Sequence, residues 1–310
     1  MAAKSTILAD ERGRSFRSAE NKLVDNVLVF GSGQPLRAAS NAEQVAKERV
    51  QLEIDLGHAL RANALDVYYQ PQFELSSGRG CGVEALARWM PPRGAIVPPS
   101  VFIPLAEQTG MIQELGKWVL KSACETLIGW SNPSTPVPIL SVNVSVLQIN
   151  ARFVRIIECA LYESGLPAQQ LELEITESTL IGDTERVIEY LREWKALGVS
   201  IALDDFGTGY SSLSCLAQLP VDRIKLDLSL VHRMTQASKG AAIVRALVSL
   251  GLDLGIDVCA EGIETEQQLQ TLMDFGCPRG QGYLFGRPMP ARQAEIVLGK
   301  AWGERPAPLV

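Results

Sequence analysis

Short apolar runs rich in β-branched residues alternate along the chain with longer stretches whose apolar positions recur at helical spacing. The runs fall at 67–73, 81–88, 139–144, 171–176, 200–205, 223–227, 257–260 and 282–285. The helical stretches fall at 99–108, 112–130, 151–164, 183–197, 210–218, 239–251, 264–275 and 290–301. Alternation of this kind predicts a parallel sheet covered by helices. Eight candidate strands predict closure into a barrel with an outer ring of helices. An open doubly wound sheet is the competing architecture, but no glycine-rich phosphate turn opens a first β-α unit.

One join departs from the pattern. Only Glu74–Gly80, ELSSGRG, separates the first two runs. A parallel crossover needs about a dozen residues, usually with a helix. The two runs are therefore predicted to form an antiparallel hairpin, whose turn near Ser77 sets Gln70 roughly opposite Glu84. The expected fold is α/β: a modified (β/α)8 TIM-like barrel with an antiparallel first strand. The gap 89–138 has room for two helices.

Ahead of the barrel, Ser40-Asn41-Ala42-Glu43 offers N-cap chemistry for a helix to about Arg61, with Leu52, Leu56, Ala59 and Leu60 on one face. Residues 1–40 are polar and show no sustained period. They read as a linker or the remnant of an upstream region, with Val27–Phe30 as a short strand; 41–310 reads as the barrel domain.

With 46% apolar and 21% charged residues over 310 positions, wholesale disorder is excluded. A net charge of −6 argues against a nucleic-acid polymer as partner. No apolar run approaches the ~20 residues of a membrane helix; the longest, Ala241–Cys259, is broken by Arg245, Asp253 and Asp257. The N-terminus lacks the apolar core of a secretory signal, so a cytoplasmic location is expected. Cys81, Cys124, Cys159, Cys215, Cys259 and Cys277 are widely spaced with no CxxC, which predicts reduced thiols rather than a disulfide framework or zinc site.

Polar residues gather near the C-terminal ends of the predicted strands: Glu84, Asn143, Glu174, Asp204 with Asp205, Lys225 and Glu261. Gln70 lies on the reversed strand, and Gln281 falls at the N-terminal side of the last run, against the trend. Barrel enzymes build their sites at the C-terminal face. Taken singly, each acid reads as readily as a helix cap or a surface charge. As a set they aim several carboxylates at one place, and burying like charges unpaired costs several kcal/mol each. Either protons or a cation must neutralise them. The candidate ligands are oxygens, and His58 and His232 lie off the strand ends, which favours Mg²⁺ or Mn²⁺ over zinc. Adjacent Asp204 and Asp205 suit two ions, and two metals about 3.5–4 Å apart clamp an in-line phosphodiester hydrolysis. Lys225 is placed to orient the attacking water, and Arg88 to hold a phosphate oxygen.

These residues resemble the EAL domain family, the bacterial cyclic-di-GMP phosphodiesterases. The resemblance lies in Tyr69-Gln70-Pro71, Glu84-Ala85-Leu86-Ala87-Arg88-Trp89, Ser141-Val142-Asn143-Val144-Ser145 and Glu174-Ile175-Thr176-Glu177. It continues through Asp204-Asp205-Phe206-Gly207-Thr208-Gly209-Tyr210-Ser211-Ser212, Ile224-Lys225-Leu226-Asp227, Ala260-Glu261-Gly262-Ile263-Glu264 and Gln281-Gly282-Tyr283. It spans about residues 45–300. One departure is Leu230, where related chains usually carry Phe.

The resemblance implies cleavage of cyclic-di-GMP to linear pGpG with two Mg²⁺ or Mn²⁺, Ca²⁺ being expected to inhibit. One metal would be held by Glu84, Asn143, Glu174 and Asp204, with Asp204 shared. Asp205 would bind the second, and Glu261 would act on it directly or through water. Lys225 would hold the attacking water, and Gln281, Arg88 and Gln70 would face substrate. Glu177 resembles the residue that braces the loop after the fifth strand, Phe206–Ser212, which in the family leads to a dimer contact; a homodimer is therefore implied. Glu264 reads either as a solvated helix start or as a substrate-side acid.

Two other readings stand beside the hydrolase. A catalytically silent cyclic-di-GMP receptor would signal through a protein partner, but such relatives usually lack metal ligands or the DDFGTGYSS loop. A paired-acid glycosidase would need no metal, and Lys225, Asn143 and the double aspartate argue against it. An upstream sensory or cyclase domain is a further expectation.

Overall fold

The computed structural model describes residues 35–91, 96–130, 138–180, 184–207, 216, 218–236 and 238–299. The expectations for Val27–Phe30 and for most of a helix at 210–218 lie outside these residues. The chain divides into two compact units, Met1–Val50 and Gln51–Val310. Of the first unit, the described part is the start of helix α1 (Pro35–Arg61), whose residues 46–50 are exposed. Because that helix already runs through Ser40–Glu43, these residues lie inside it and do not cap it, contrary to the N-cap expectation. No described helix is long and apolar enough to cross a membrane.

The second unit is a closed barrel. Strand β1 (Asp66–Glu74) turns into β2 (Gly80–Arg88) as an antiparallel hairpin, and the register sets Gln70 opposite Glu84. From β2 the ring continues in parallel through β3 (Ile139–Asn143), β4 (Leu171–Thr176), β5 (Ser200–Phe206), β6 (Arg223–Leu226), β7 (Asp257–Ala260) and β8 (Arg279–Gln281). β8 then pairs antiparallel with β1, which closes the sheet. The two-residue β9 (Met289–Pro290) adds to the β1 edge. Closure leaves the ring no exposed hydrogen-bonding edge.

Helices cover the outside. α2 (Pro99–Thr109) starts with proline in its first turn and ends at Gly110 in the left-handed region, φ 75°. α3 (Ile112–Gly129) and α4 (Ala151–Ser164) follow, with Asn150 accepting from Arg152 N and Phe153 N to cap the latter. α5 (Thr184–Ala196) buries Leu191 and Trp194, and the Trp194 ring packs 5.7 Å from Phe153. Trp89 is fully buried in the core and meets Phe102 edge-on. α6 (Leu228–Met234), α7 (Ser238–Asp253), α8 (Glu266–Asp274) and α9 (Ala291–Leu298) complete the described ring. At the end of α1, Leu56 and Ala59 are buried, with Leu52 and Leu60 against the core, as their spacing predicts.

The last strand is a correction. The apolar run Gly282–Phe285 is a turn, closed by Phe285 N and Gly286 N donating to Gly282 O, and the strand precedes it at Arg279–Gln281. Its apolar character reflects packing: Phe285 stacks on Phe73 with ring centres 5.1 Å apart. Gln281 therefore ends its strand at the same barrel face as the other site candidates, and the apparent exception disappears.

Gly282 lets this turn lie on the loop after β7. Ile263 N donates to Gln281 O, and Leu284 N donates to Ile263 O, one on each side of the glycine. A Cβ at Gly282 would lie 2.2 Å from backbone atoms of Ile263. Gly282→Ala is expected to lower stability by about 1–3 kcal/mol, the range for forced overpacking, read as a lower denaturant midpoint at unchanged slope. An unchanged midpoint would show that this contact does not hold the two loops together.

Candidate active site

The strand ends bring a set of polar side chains to the C-terminal face of the barrel. Glu84 comes from β2, Asn143 from the last position of β3, Glu174 from β4, Asp204 from β5, Lys225 from β6 and Gln281 from the end of β8. Glu261 follows β7 directly, its N–H bonded to Leu226 O. Parallel register accounts for the convergence: Asn143 pairs with Glu174, and Thr176 with Asp204.

Lys225 stands at the centre with 1% of its surface exposed. Its Nζ lies 2.7 Å from Glu261 Oε1, 2.8 Å from Glu174 Oε2, 3.3 Å from Asp204 Oδ1 and 3.4 Å from Glu84 Oε2. Asn143 Nδ2 donates to Glu84 Oε1 at 2.7 Å. Gln281 Nε2 donates to Glu84 Oε2 at 2.7 Å and to Glu261 Oε1 at 2.9 Å, bridging the two acids.

The electrostatics follow from one buried cation among several buried anions. Burial opposes the charge on Lys225, but Asp204, Glu174, Glu261 and Glu84 outweigh it and hold its pKa well above the ordinary value. For Glu84, burial is offset by Lys225 and by donation from Gln281 and Asn143, so its carboxyl falls below the usual range. Burial and the neighbouring Glu84 push Glu174 well above it. Burial, countered in part by Lys225, pushes Glu261 up to about 8. Asp205 is also raised, by burial and then by Asp204.

Asp205 needs a local departure from strand geometry. Adjacent residues of a regular strand point to opposite faces. Here the β5–β6 register breaks between Leu203 and Phe206, and Asp205 sits in the left-handed region at φ 55°. Asp tolerates that region better than most residues. As a result Asp204, Asp205 and Glu261 each offer an oxygen within 4.8 Å of the others.

The other predicted residues lie around this cluster. Glu177 Oε2 accepts from Gly207 N at 3.1 Å, tying the start of the loop after β5 to the end of β4. Gln70 is buried but turns toward the chain after β8, donating to Gly286 O at 3.2 Å. Arg88 stays out of the cluster: its Nη1 donates to Ala87 O, and its guanidinium lies 5.7 Å from the Tyr68 ring centre. It lines a recess of about 260 Å³ with Tyr283 and Arg287. Glu264 is apart as well, at the start of the next helix and 3.6 Å from His232 Nε2. Gln72 was not singled out from the sequence. It lies two residues from Gln70 on the same strand face, the signal that places it beside Gln281, to whose Oε1 it donates at 3.1 Å.

The donor set fits hard divalent cations. The converging ligand atoms are carboxylate oxygens, together with the Asn143 side-chain amide. Glu174 Oε1 is buried without a hydrogen-bond partner, and a buried carboxylate oxygen of that kind suits a cation.

A sequence model of the EAL domain matches residues 53–288, which include every residue of the cluster. The chain is 42% identical over 249 residues to the "Bifunctional diguanylate cyclase/cyclic di-GMP phosphodiesterase MucR" of Pseudomonas aeruginosa, covering 80% of this chain and 36% of that protein. It is 39% identical over 251 residues to the "Oxygen sensor protein DosP" of Escherichia coli, covering 81% and 31% respectively. The chain thus spans about a third of the length of these relatives. Among solved structures, "PaMucR Phosphodiesterase, c-di-GMP complex" superposes with a TM-score of 0.75 at 42% identity, over 78% of this chain and 99% of that one. The motif series, the barrel with its reversed first strand and the match over residues 53–288 agree: the chain belongs to the EAL domain family.

Proposed function

We propose that the chain hydrolyses cyclic-di-GMP to linear pGpG with two bound Mg²⁺ or Mn²⁺. The observation that carries the proposal is the convergence of Glu84, Glu174, Asp204 and Glu261 on the buried Lys225, with Asp205 beside Asp204 and Glu261. The names of MucR and of its solved domain, which refer to this dinucleotide, support the choice of substrate. The proposal also takes 41–310 as the functional domain, in a homodimer joined to a sensory or cyclase region.

In this reading Glu84, Asn143, Glu174 and Asp204 hold one cation, and Asp204 and Asp205 hold the other with Glu261. Cations bound there would supply charge neutralisation at the phosphate and lower the pKa of a bound water toward neutrality. The residues of the chain do the positioning. Lys225 is held as an ammonium by its carboxylates, so it serves as a donor that orients the attacking water and not as a base. Water adds to phosphorus as the bond to the leaving ribose oxygen breaks, and that oxygen gains a proton. Gln281, Arg88 and Gln70 face the dinucleotide, and Glu177 holds the loop after β5 through Gly207.

The direct test is incubation with cyclic-di-GMP and Mg²⁺ or Mn²⁺, with EDTA and Ca²⁺ as controls and chromatographic separation of products. Metal-dependent pGpG is expected, and binding without product would replace the hydrolase by a receptor. Asp204→Asn is expected to abolish turnover at an unchanged circular dichroism spectrum. Lys225→Ala is expected to lower kcat on the order of 100-fold, with KM much less affected. A loss confined to KM would remove Lys225 from the chemistry.

Cation binding should also release protons. In the ion-free cluster the Glu261 carboxyl is raised to about 8, so it binds a proton near neutrality, and Glu174 is raised in the same direction and holds its proton more tightly than a free carboxyl. A cation must displace these protons, so its affinity rises with pH up to about 8 and falls below it, by about tenfold per pH unit for each proton displaced. Calorimetry in two buffers of different ionisation enthalpy reads the release directly. Affinity independent of pH between 6 and 8 would contradict the assignment of these acids as ligands.

A further inference from the structure

Gln72 is buried in β1, with 1% of its surface exposed, and its side chain lies beside Gln281 rather than within the carboxylate cluster. We propose that Gln72 is a positioning residue that fixes which way the Gln281 amide faces, and so which carboxylates it braces. The inference rests on the cation site proposed above.

The donor sense is set from the far end of the barrel. Arg223, on β6, donates through Nη1 to Glu172 Oε1 at 2.5 Å, and both side chains are buried. Arg223 is held in turn by Asp257, at 3.1 Å from its Nε. The same Glu172 oxygen receives the Ser141 hydroxyl at 2.8 Å. A hydroxyl has one proton to give, so Ser141 meets Gln72 as an acceptor. Gln72 Nε2 lies 3.4 Å from Ser141 Oγ and 3.1 Å from Gln281 Oε1. With an NH₂ group in that place, Gln281 must present its oxygen to Gln72. Its own NH₂ then faces Glu84 and Glu261. The reverse orientation would aim a carbonyl oxygen at two carboxylates.

Gln72 makes no use of its own oxygen. Its Oε1 is buried without a hydrogen-bond partner and lies against Gly82, where a Cβ would come within 3.0 Å of it. The side chain is thus placed by what its NH₂ group donates. That hold matters once cations draw on the lone pairs of Glu84 and Glu261 and weaken their grip on Gln281. Gln72 then keeps the bridging donor in place from below, and with it the spacing of two acids from opposite sides of β8 and β1.

Three substitutions separate donor sense from packing. Gln72→Met keeps the length and loses the donor, Gln72→Glu is an acceptor when ionised, and Gln72→Lys is donor-only. By calorimetry, Mn²⁺ affinity is expected to fall about tenfold or more in the Met and Glu variants and to recover to within about threefold of wild type in the Lys variant. The kcat for cyclic-di-GMP should follow the same order, with KM little changed. A purely structural role would follow the melting temperature, leaving the Met variant near wild type and the Lys variant worst; that order would overturn the proposal. Gln281→Met combined with Gln72→Met should cost no more Mn²⁺ affinity than Gln281→Met alone, and full additivity would overturn it as well. A wild-type protein that binds Mn²⁺ but leaves the dinucleotide intact would overturn the hydrolase reading only, since the Mn²⁺ affinities judge Gln72 by themselves. Wild type that binds no Mn²⁺ overturns both.

Discussion

The ammonium of Lys225 is buried within ion-pair distance of four carboxylates, those of Glu84, Glu174, Asp204 and Glu261. Burying charge is expensive unless it is paired and hydrogen-bonded, and here one cation faces several anions. Two of the four acids are also anchored away from the lysine. Asn143 and Gln281 hold Glu84, Gln281 also holds Glu261, and Lys225 sits on a strand buried along its whole length. Burial, together with the excess of neighbouring negative charge, raises the carboxyls of Glu174 and Glu261. It is the same excess that suits the cluster to divalent cations.

The barrel is shaped to deliver this excess to one face. Parallel strands place their C-terminal ends together, and the short Glu74–Gly80 join forces the first strand to run the other way. That reversal brings Gln70 and Gln72 into the ring between β2 and β8. Below the cluster, a second polar layer of Ser141, Glu172, Arg223, Asp257 and Arg279 crosses the interior. The charged face and this layer meet through the two glutamines, so the site is supported from within the barrel as well as from its rim.

Much of this was legible in the sequence, and the failures have physical causes. The apolar runs located seven of the eight barrel strands to within a residue or so, because strands buried in a barrel must be apolar. The hairpin followed from loop length alone. The eighth strand was displaced because Gly282–Phe285 is apolar for a different reason: Phe285 fills the core against Phe73, while Gly282 turns the backbone over Ile263. The strand itself, Arg279–Gln281, carries no apolar signal. Among site residues, period and strand ends pointed to the acids and Lys225. They gave no sign that Asp205 takes a left-handed backbone, the feature that lets two consecutive aspartates face the same way. Nor did they tell which way Arg88, Gln70 and Glu264, read from the sequence as substrate-side residues, turn around the cluster. Strand position does not give side-chain direction.

The central claim is that the acids around Lys225 form a site for two divalent cations that share Asp204. Anomalous diffraction from crystals grown with Mn²⁺ tests it most directly. The account predicts two peaks, one bounded by Glu84, Asn143, Glu174 and Asp204 and the other by Asp204 and Asp205 with Glu261 nearby. Absence of any peak among these oxygens at saturating Mn²⁺, with Lys225 still paired to all four carboxylates, would contradict it.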